Sequence, residues 1–529
     1  MARESFLSEA FILAVAGLIS RVLGAIYRVP LTRLIGQEGL GLYQLAYPIY
    51  VTILQVSTSG INIAISKLVA ERVALKNIRG ARRVFETALI MLAVIGAAGA
   101  LLLFLAAGPI SANLHRDSRS YFAIIALAPA IFFVALMATF RGFFQGFSRF
   151  TPTALSQVTE QLMRVFTALT LGYLLLPRGV EYAAAGASFG ASAGAFLGLS
   201  LMVLLFFRGG RKLLRQPGAE YGTERRRYLA KRILALSIPI SLAAIVLPLM
   251  TFIDSVVVPL RLSALGLTAE RVTALYGQLT GMAMPVINMP TVVTFAFGLS
   301  LVPAVSTAFA YRDLAKVRQE AAQGARMTVL LTMPAVAGLF VLATPIMKLL
   351  YDVPEAGRVL AAVAPGLLFL ALQQTTSGVL QGLGRTDLPV RHLMVGALTK
   401  TAVTCVLTAM PRFGITGAAI GSVTGFLVAA SLNIASVVAL VGFDFRLGEM
   451  VLKPAVAITG MGISVRGFYF LTVDRLGNDL ATLAAIGVGV LAYLALMLVI
   501  RGFKRRDFEI VPRFGDRLAD RLQRIGLIG

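Results

Sequence analysis

Long apolar stretches separated by short polar breaks run through the whole chain, and their lengths predict helices, not strands. The apolar runs cover residues 5 to 28, 40 to 70, 84 to 108, 120 to 147, 153 to 176, 183 to 207, 231 to 258, 273 to 310, 326 to 350, 357 to 383, 389 to 410, 415 to 442, 450 to 471 and 480 to 501. A helix needs roughly 20 mainly apolar residues to cross hydrocarbon, where the backbone must satisfy its own hydrogen bonds. The prediction is an all-α polytopic membrane protein of about 14 transmembrane helices. The second and eighth runs are too long for one straight span and contain Pro48, Pro285, Pro290 and Pro303, so kinks are expected there. The first run follows only Arg3 and Glu4 and lacks a small-residue cleavage site, which predicts a retained span and not a signal peptide.

Composition adds orientation. Of 529 residues 57% are hydrophobic and 14% charged, with 49 Lys and Arg against 25 Asp and Glu for a net charge of +24. Arg72, Lys76, Arg79, Arg82 and Arg83 follow the second helix; Arg208, Arg211, Lys212, Arg215, Arg225, Arg226, Arg227, Lys231 and Arg232 follow the sixth. Arg501, Lys504, Arg505, Arg506, Arg513, Arg517, Arg521 and Arg524 follow the last. These segments all share one side, so the positive-inside rule predicts that both termini are cytoplasmic. Contact with anionic membrane lipids follows from the same charge. No nucleic-acid partner is expected, because the basic loops lack interleaved aromatics. The single Cys405 sits in an apolar run, so there is no disulfide framework.

An internal repeat divides the chain. "FFQGFSRFTP" at 143 to 152 is echoed by "VLQGLGRTDLP" at 379 to 389, "GLYQLAYP" at 41 to 48 by "ALYGQLTG" at 274 to 281, and "AAGPI" at 106 to 110 by "LATPI" at 342 to 346. The near-constant offset predicts two pseudo-twofold related six-helix halves, 1–208 and 231–445. A basic cytoplasmic linker, 209–230, joins them. Two extra transmembrane helices, 446–501, and a basic cytoplasmic tail, 502–529, follow. Parallel repeats of this kind suit a transporter that alternates access around a midplane site. Gln145-Gly146 and Gln381-Gly382 are read as turns at loop entries.

An ionisable group in mid-membrane costs about 2.5 to 3.5 kcal/mol even on the lenient insertion scale, so each one asks for a partner or a wet cavity. The candidates are Arg21, Arg28 and Arg33 near helix 1, Lys67, Glu160, Arg164, Asp254, Lys400 and Arg466. Arg21 and Arg28, seven residues apart, share a helix face; Pro30 is expected to end or kink the helix before Arg33. Arg164 and Lys400 occupy matching places after Pro152 and Pro389, one cation from each half. A mostly basic cleft suits an anionic ligand, and Arg gives forked hydrogen bonds to phosphate oxygens. The alternatives are local. Arg33 and Lys67 lie near span ends and can snorkel to headgroups; Glu160 stands four residues before Arg164 and can pair with it; Arg466 reads as interfacial. Asp254 is read as a ligand for a coupling Na⁺, a proton carrier, or the partner of a nearby Arg.

The chain has no GxxxxGK[ST] loop and no metal-ligand cluster, and its only histidines, His115 and His392, stand at helix edges as structural or solvated groups. No catalytic constellation or cofactor site is visible, so transport, and not an enzyme activity, is the expected class.

The stretches "SRVLGAIYRVPLTRLIGQEGLGLYQLAYPIY", "GINIAISKLVAE" and "LYGQLTGMAMP", with the twin Gln-Gly repeats, resemble the stage V sporulation protein B and polysaccharide-biosynthesis branch of the multidrug/oligosaccharidyl-lipid/polysaccharide (MOP) exporter superfamily. The resemblance covers essentially the whole chain. That branch is similar to the lipid II flippases, which move undecaprenyl-pyrophosphate-linked peptidoglycan precursor across the plasma membrane. The resemblance implies that Arg21 matches the arginine of the flippase S-R-x-L-G motif and contacts pyrophosphate, that Arg33 matches the family pattern, and that Asp254 is the ion-ligand candidate. Two departures stand out. Flippases usually carry Arg-Asp where Tyr27 and Arg28 stand here, and the acid and arginine of their helix 8 are absent from "LYGQLTGMAMP".

The expected function is thus a plasma-membrane flippase for a polyprenyl-pyrophosphate-linked glycan, lipid II or a related unit, in cell-wall or spore-cortex synthesis, driven by membrane potential or a coupling Na⁺ or H⁺. Its expected partners are the anionic glycan lipid, anionic membrane lipids and cell-wall synthesis proteins. The rival readings are a cation-coupled multidrug exporter of the same fold, which would want an acidic cleft, and a non-transporting membrane scaffold of a glycan-synthesis complex. The scaffold would not need Arg21 and Arg28 inside the membrane.

Overall fold

The computed structural model describes residues 2–214, 224–442, 448–508 and 515–524. Arg215, Arg513 and the boundary at 445/446 lie outside the described residues. Among the described residues every regular element is helical. Two compact units divide at Gly277 and Gln278. The first contains α1 (Ala2–Ile26), α2 (Arg28–Ala74), α3 (Ile78–Pro109), α4 (Ser120–Gly146), α5 (Thr151–Leu175), α6 (Val180–Leu205), α7 (Arg211–Leu213), α8 (Arg226–Ser263) and α9 (Ala269–Gly277). The second contains α10 (Met284–Ala310), α11 (Leu314–Val341), α12 (Ala343–Tyr351), α13 (Gly357–Val363), α14 (Gly366–Gly382), α15 (Asp387–Leu407), α16 (Ile415–Val441), α17 (Lys453–Val499), α18 (Arg505–Phe508) and α19 (Gly515–Arg524).

Among the described residues ten helices are long and apolar enough to cross a membrane, or up to 11 when the pair bent by 44° between Pro354 and Gly382 counts as one span. Two of these stretches, Phe11–Ala74 with 64 residues and Met450–Val499 with 50, far exceed the roughly 30 Å of hydrocarbon at about 1.5 Å per residue. Both are broken by a glycine, α2 at Gly36 (φ 70, ψ 179) and α17 at Gly477 (φ 71, ψ 169), in a conformation that side chains with a Cβ resist. α5 is not in the count; it carries Gln157, Glu160, Gln161 and Arg164. The predicted total of 14 is compatible with this arrangement.

Pro30 acts one turn earlier than the sequence suggests. Lacking an N–H, it leaves the carbonyl of residue 26 unbonded, and the break between α1 and α2 falls at Tyr27, separating Arg21 from Arg28 instead of Arg28 from Arg33. Pro30 itself sits in the first turn of α2, where a missing donor costs little. Tyr27 keeps right-handed helical angles (φ −63, ψ −20), so the direction of the side chains carries through the break. At the eighth apolar run, Pro285 follows a π-helical turn, Gln278–Ala283, that separates α9 from α10.

Helices pack through glycines in a pattern that recurs in both units. The Gln-Gly pairs end α4 and α14, as the loop-entry reading expects. A Cβ built on Gly146 would lie 2.6 Å from Val69 of α2, and one on Gly382 would lie 2.8 Å from Val305 of α10. α6 carries Gly186, Gly190, Gly194 and Gly198 at four-residue spacing against α5, and α16 carries Gly417, Gly421 and Gly425 against α15. Small residues at this spacing let helix backbones approach closely in lipid.

Candidate functional site

α5 presents Ser156, Glu160 and Arg164 at four-residue spacing, hence on one face. Arg164 Nη2 donates to Glu160 Oε1 at 2.9 Å, the local pairing that the sequence allows. The second carboxylate oxygen accepts from Arg141 Nη2 of α4 at 3.0 Å, and Arg141 Nε donates to Ser156 Oγ at 2.9 Å. Two guanidiniums therefore share one carboxylate. Arg141 and Glu160 are 15% exposed and Arg164 16%, while the Arg164 Nε atom is buried with no hydrogen-bond partner. Tyr43, Tyr47 and Tyr50 form a row of rings 5.6 and 5.8 Å apart within electrostatic range of Arg164. Arg141 escaped the sequence reading, although it lies within the fourth apolar run, where a charge is as costly as in any other span.

α1 lies beside this cluster. Glu9 Oε2 accepts from the Phe150 and Thr151 N–H groups at 2.7 Å each and from Thr151 Oγ1 at 2.9 Å, capping α5 from a neighbouring helix. Farther along, a Cβ on Gly24 would lie 3.3 Å from Gln161 Nε2, so α1 and α5 run in the same direction. Arg21, Gly24 and Arg28, spaced i, i+3 and i+7, share one stripe. Gly24 is the member of this stripe that meets α5, at Gln161; Arg21 is exposed and Arg28 half-buried.

Lys400 packs on glycines of its neighbouring helix as Arg164 does, although Gly396 stands where Arg164 has its partner Glu160. Cβ atoms on Gly421 and Gly425 would lie 3.1 Å from Lys400 O and 2.7 Å from Lys400 Cβ, as those on Gly190 and Gly194 would lie 2.6 Å from Arg164 O and 3.2 Å from Arg164 Cβ. The sequence match between these two cations is therefore a match of place within each unit. Arg33 and Lys67 are exposed, on segments whose Leu31, Ile35, Ile65 and Leu68 are buried. Asp254 is half-buried on α8 beside Ser255, whose hydroxyl donates to Phe252 O at 2.7 Å. Arg466 is exposed, its guanidinium 5.6 Å from the Phe470 ring centroid. His392 Nδ1 and Asn433 Oδ1 are 2.8 Å apart in a buried network that includes Gln373 and Ser377.

A second charged group joins the connection after α3 to α2 and α9. Arg119 Nη2 donates to Asp117 Oδ2 at 2.8 Å and Nη1 to Glu38 of α2, while Thr273 Oγ1 of α9 donates to Asp117 Oδ2 at 2.7 Å. Burial would raise the Asp117 carboxyl, yet the hydrogen bonds from Arg119 and Thr273 hold it below its ordinary value. His115, 1% exposed and 3.1 Å from Ser120 Oγ, is pushed down to about 4 by burial, against the pull of Asp117. Backbones touch at the same place: a Cβ on Gly41 would lie 2.0 Å from Thr273 O.

Residues 6–309 match the family described as polysaccharide biosynthesis protein. The chain belongs to that family. Residues 239–406 also match MatE. Stage V sporulation protein B of Bacillus subtilis (strain 168) is 30% identical over 97% of this chain and 99% of its own, and lipid II flippase MurJ of the same organism is 25% identical over 93% and 94%. A solved structure of lipid II flippase MurJ in an inward closed conformation aligns with a TM-score of 0.69 at 17% identity, covering 93% of this chain and 98% of that one. An inward-facing multidrug resistance MATE family transporter of the MOP superfamily aligns with a TM-score of 0.67 at 16% identity over 80% and 94%. The fold is shared with solved transporters of the MOP superfamily, and the relatives and neighbours with a printed role are flippases and transporters, not enzymes.

Proposed function

We propose that this protein is a flippase for a polyprenyl-pyrophosphate-linked glycan of cell-wall or spore-cortex synthesis, with lipid II or a related unit as cargo. The observation that carries the reading is the cationic surplus at α5: Arg141 and Arg164 share Glu160, and α1, which leads from Arg21 into Arg28 at the start of α2, packs beside α5 with Gly24 against Gln161. Forked guanidinium donors match the oxygens of a pyrophosphate. The polyprenyl tail stays in lipid while the headgroup occupies this site. Arg33, Lys67 and Lys400 supply further positive charge, and Asp254 serves as the coupling ligand for Na⁺ or H⁺. Transport then alternates between inward- and outward-facing states, the two states in which solved MATE transporters of the superfamily have been captured. The relatives named for lipid II and for sporulation support the cargo class. We assign the protein to the plasma membrane with both termini cytoplasmic, from its basic loops.

The match of residues 239–406 to MatE favours a second reading, a cation-coupled drug exporter. The surplus of arginines over acids at α5 disfavours it, because a cationic drug would be repelled. Purified protein in liposomes separates the two. Flipping of labelled lipid-linked sugar that is lost in Arg21→Ala and Arg28→Ala supports the flippase reading; export of a cationic dye with no lipid flipping overturns it.

A further inference from the structure

The charges around α5 do not balance. Arg141 and Arg164 bring two positive charges and Glu160 one negative, and a net charge left inside hydrocarbon costs several kcal/mol unless something neutralises it. Glu160 takes one N–H from each guanidinium. Arg164 Nε, which points out of the guanidinium fork beside the bonded edge, is buried and donates to nothing. Arg141 spends its Nε on Ser156, a hydroxyl that itself donates to Thr153 O at 2.7 Å, so this arginine is oriented from behind. Gly194 lets the α5 face carrying Glu160 and Arg164 press against α6: a Cβ there would lie 2.5 Å from Glu160 O. The cluster is thus rigidly backed, incompletely satisfied and one anion short.

We infer that Glu160 is an internal counter-ion that a phosphate group displaces, so that Arg141 and Arg164 together form the phosphate-binding fork and Glu160 returns to expel the phosphate. The inference rests on the flippase reading and specifies how its site binds and releases. A phosphate group carries more oxygens and more charge than a carboxylate, so it can satisfy the free Arg164 Nε as well as the two Nη donors that Glu160 now holds. The competing carboxylate keeps the bound state from becoming a trap, which a transport site must avoid. The exchange moves no proton and breaks no covalent bond.

Two sources offer this chemistry, a polyprenyl pyrophosphate and an ordinary anionic phospholipid, and the test separates them. Native mass spectrometry of the full chain in detergent would titrate undecaprenyl pyrophosphate, phosphatidylglycerol and inorganic pyrophosphate against wild type, Glu160→Gln, Glu160→Asp, Arg141→Ala and Arg164→Lys. Removing the competitor should tighten undecaprenyl pyrophosphate binding about tenfold in Glu160→Gln, with a smaller gain in Glu160→Asp, which keeps the charge but reaches only one arginine. Arg141→Ala and Arg164→Lys should weaken it about tenfold or more. A structural role for Glu160 would give the opposite sign, weaker binding in every variant, and that result overturns the inference. So does binding that depends on Arg21 and Arg28 but not on Arg141 or Arg164, which leaves the flippase reading standing. Tightening in Glu160→Gln that is equal for phosphatidylglycerol overturns the assignment to substrate. Wild-type protein that binds no polyprenyl pyrophosphate overturns both this inference and the reading beneath it.

Discussion

Gly425 stands so close to Lys400 that a Cβ built on the glycine would lie 2.7 Å from the Cβ of the lysine. Gly194 holds the same position toward Arg164 in the other unit, at 3.2 Å. The cation of each unit therefore sits on a helix whose partner supplies a glycine beneath it. Alanine at Gly425 forces α15 and α16 apart, and overpacking of this kind typically costs about 1 to 3 kcal/mol. Gly425→Ala and Gly194→Ala should each lower the thermal midpoint of the purified protein. Gly17→Ala is the control, because nothing lies within 4 Å of a Cβ there and a helical Gly→Ala change gains about 0.4 to 1 kcal/mol.

The connection after α3 should loosen in acid. His115 has its folded value lowered to about 4 by burial, so the unfolded chain binds the proton more readily than the folded one. Stability is therefore complete above the unfolded value of about 6.5 and falls as the pH drops toward 4, by about 3 kcal/mol over the whole window, since one unit is about 1.4 kcal/mol. Asp117, also held low, gives up its share only as the pH falls through its own depressed value, at the acid end of this window and below it. Amide protection factors at residues 110–120, referred to the intrinsic exchange rate at each pH, should fall between pH 6.5 and 4, and His115→Asn should flatten the first part of the fall.

Much of this arrangement follows from patterns short enough to read along the chain. The apolar runs give the helices, the Gln-Gly pairs mark where α4 and α14 stop, and the four-residue spacing of Glu160 and Arg164 announces their ion pair. What was not legible depends on partners far apart in sequence. Arg141 meets Glu160 across 19 residues and Arg326 meets Asp507 across 181, and neither contact leaves a period in the sequence. The break at Tyr27 was misplaced for a different reason. Proline disturbs the turn before it, so Pro30 marks the break without occupying it.

The first residues after the last span are clamped and not free. Arg326 of α11 makes two hydrogen bonds of 2.9 Å to Asp507 and a third, of 2.6 Å, to Gly502 O, and the pair is 10% and 4% exposed. Breaking such a pair on one side leaves an uncompensated buried charge and costs about 3 to 5 kcal/mol. Asp507→Ala should expose Lys504, Arg505 and Arg506 to trypsin, read as faster tail cleavage. Replacing both partners, in Arg326→Met with Asp507→Leu, should recover most of the lost resistance, because no lone charge remains buried.

The break set by Pro30 gives the sharpest test of the site itself. With alanine at 30 the missing N–H returns, can bond the carbonyl of Ile26, and joins α1 to the first segment of α2 as one straight helix. That segment is anchored by Tyr27, whose hydroxyl lies 3.2 Å from that of Tyr43, and by Leu31 and Ile35 in the core, so straightening must move the α1 side. Gly24 then leaves its place beside Gln161 of α5 and carries Arg21 with it, while Arg28 keeps its own. Pro30→Ala should therefore leave the thermal midpoint equal to or above wild type and lower lipid flipping about tenfold or more, the scale expected when a binding group is displaced by an ångström. Flipping at the wild-type rate in a straightened protein would show that the position of Arg21 relative to Arg28 has no part in transport.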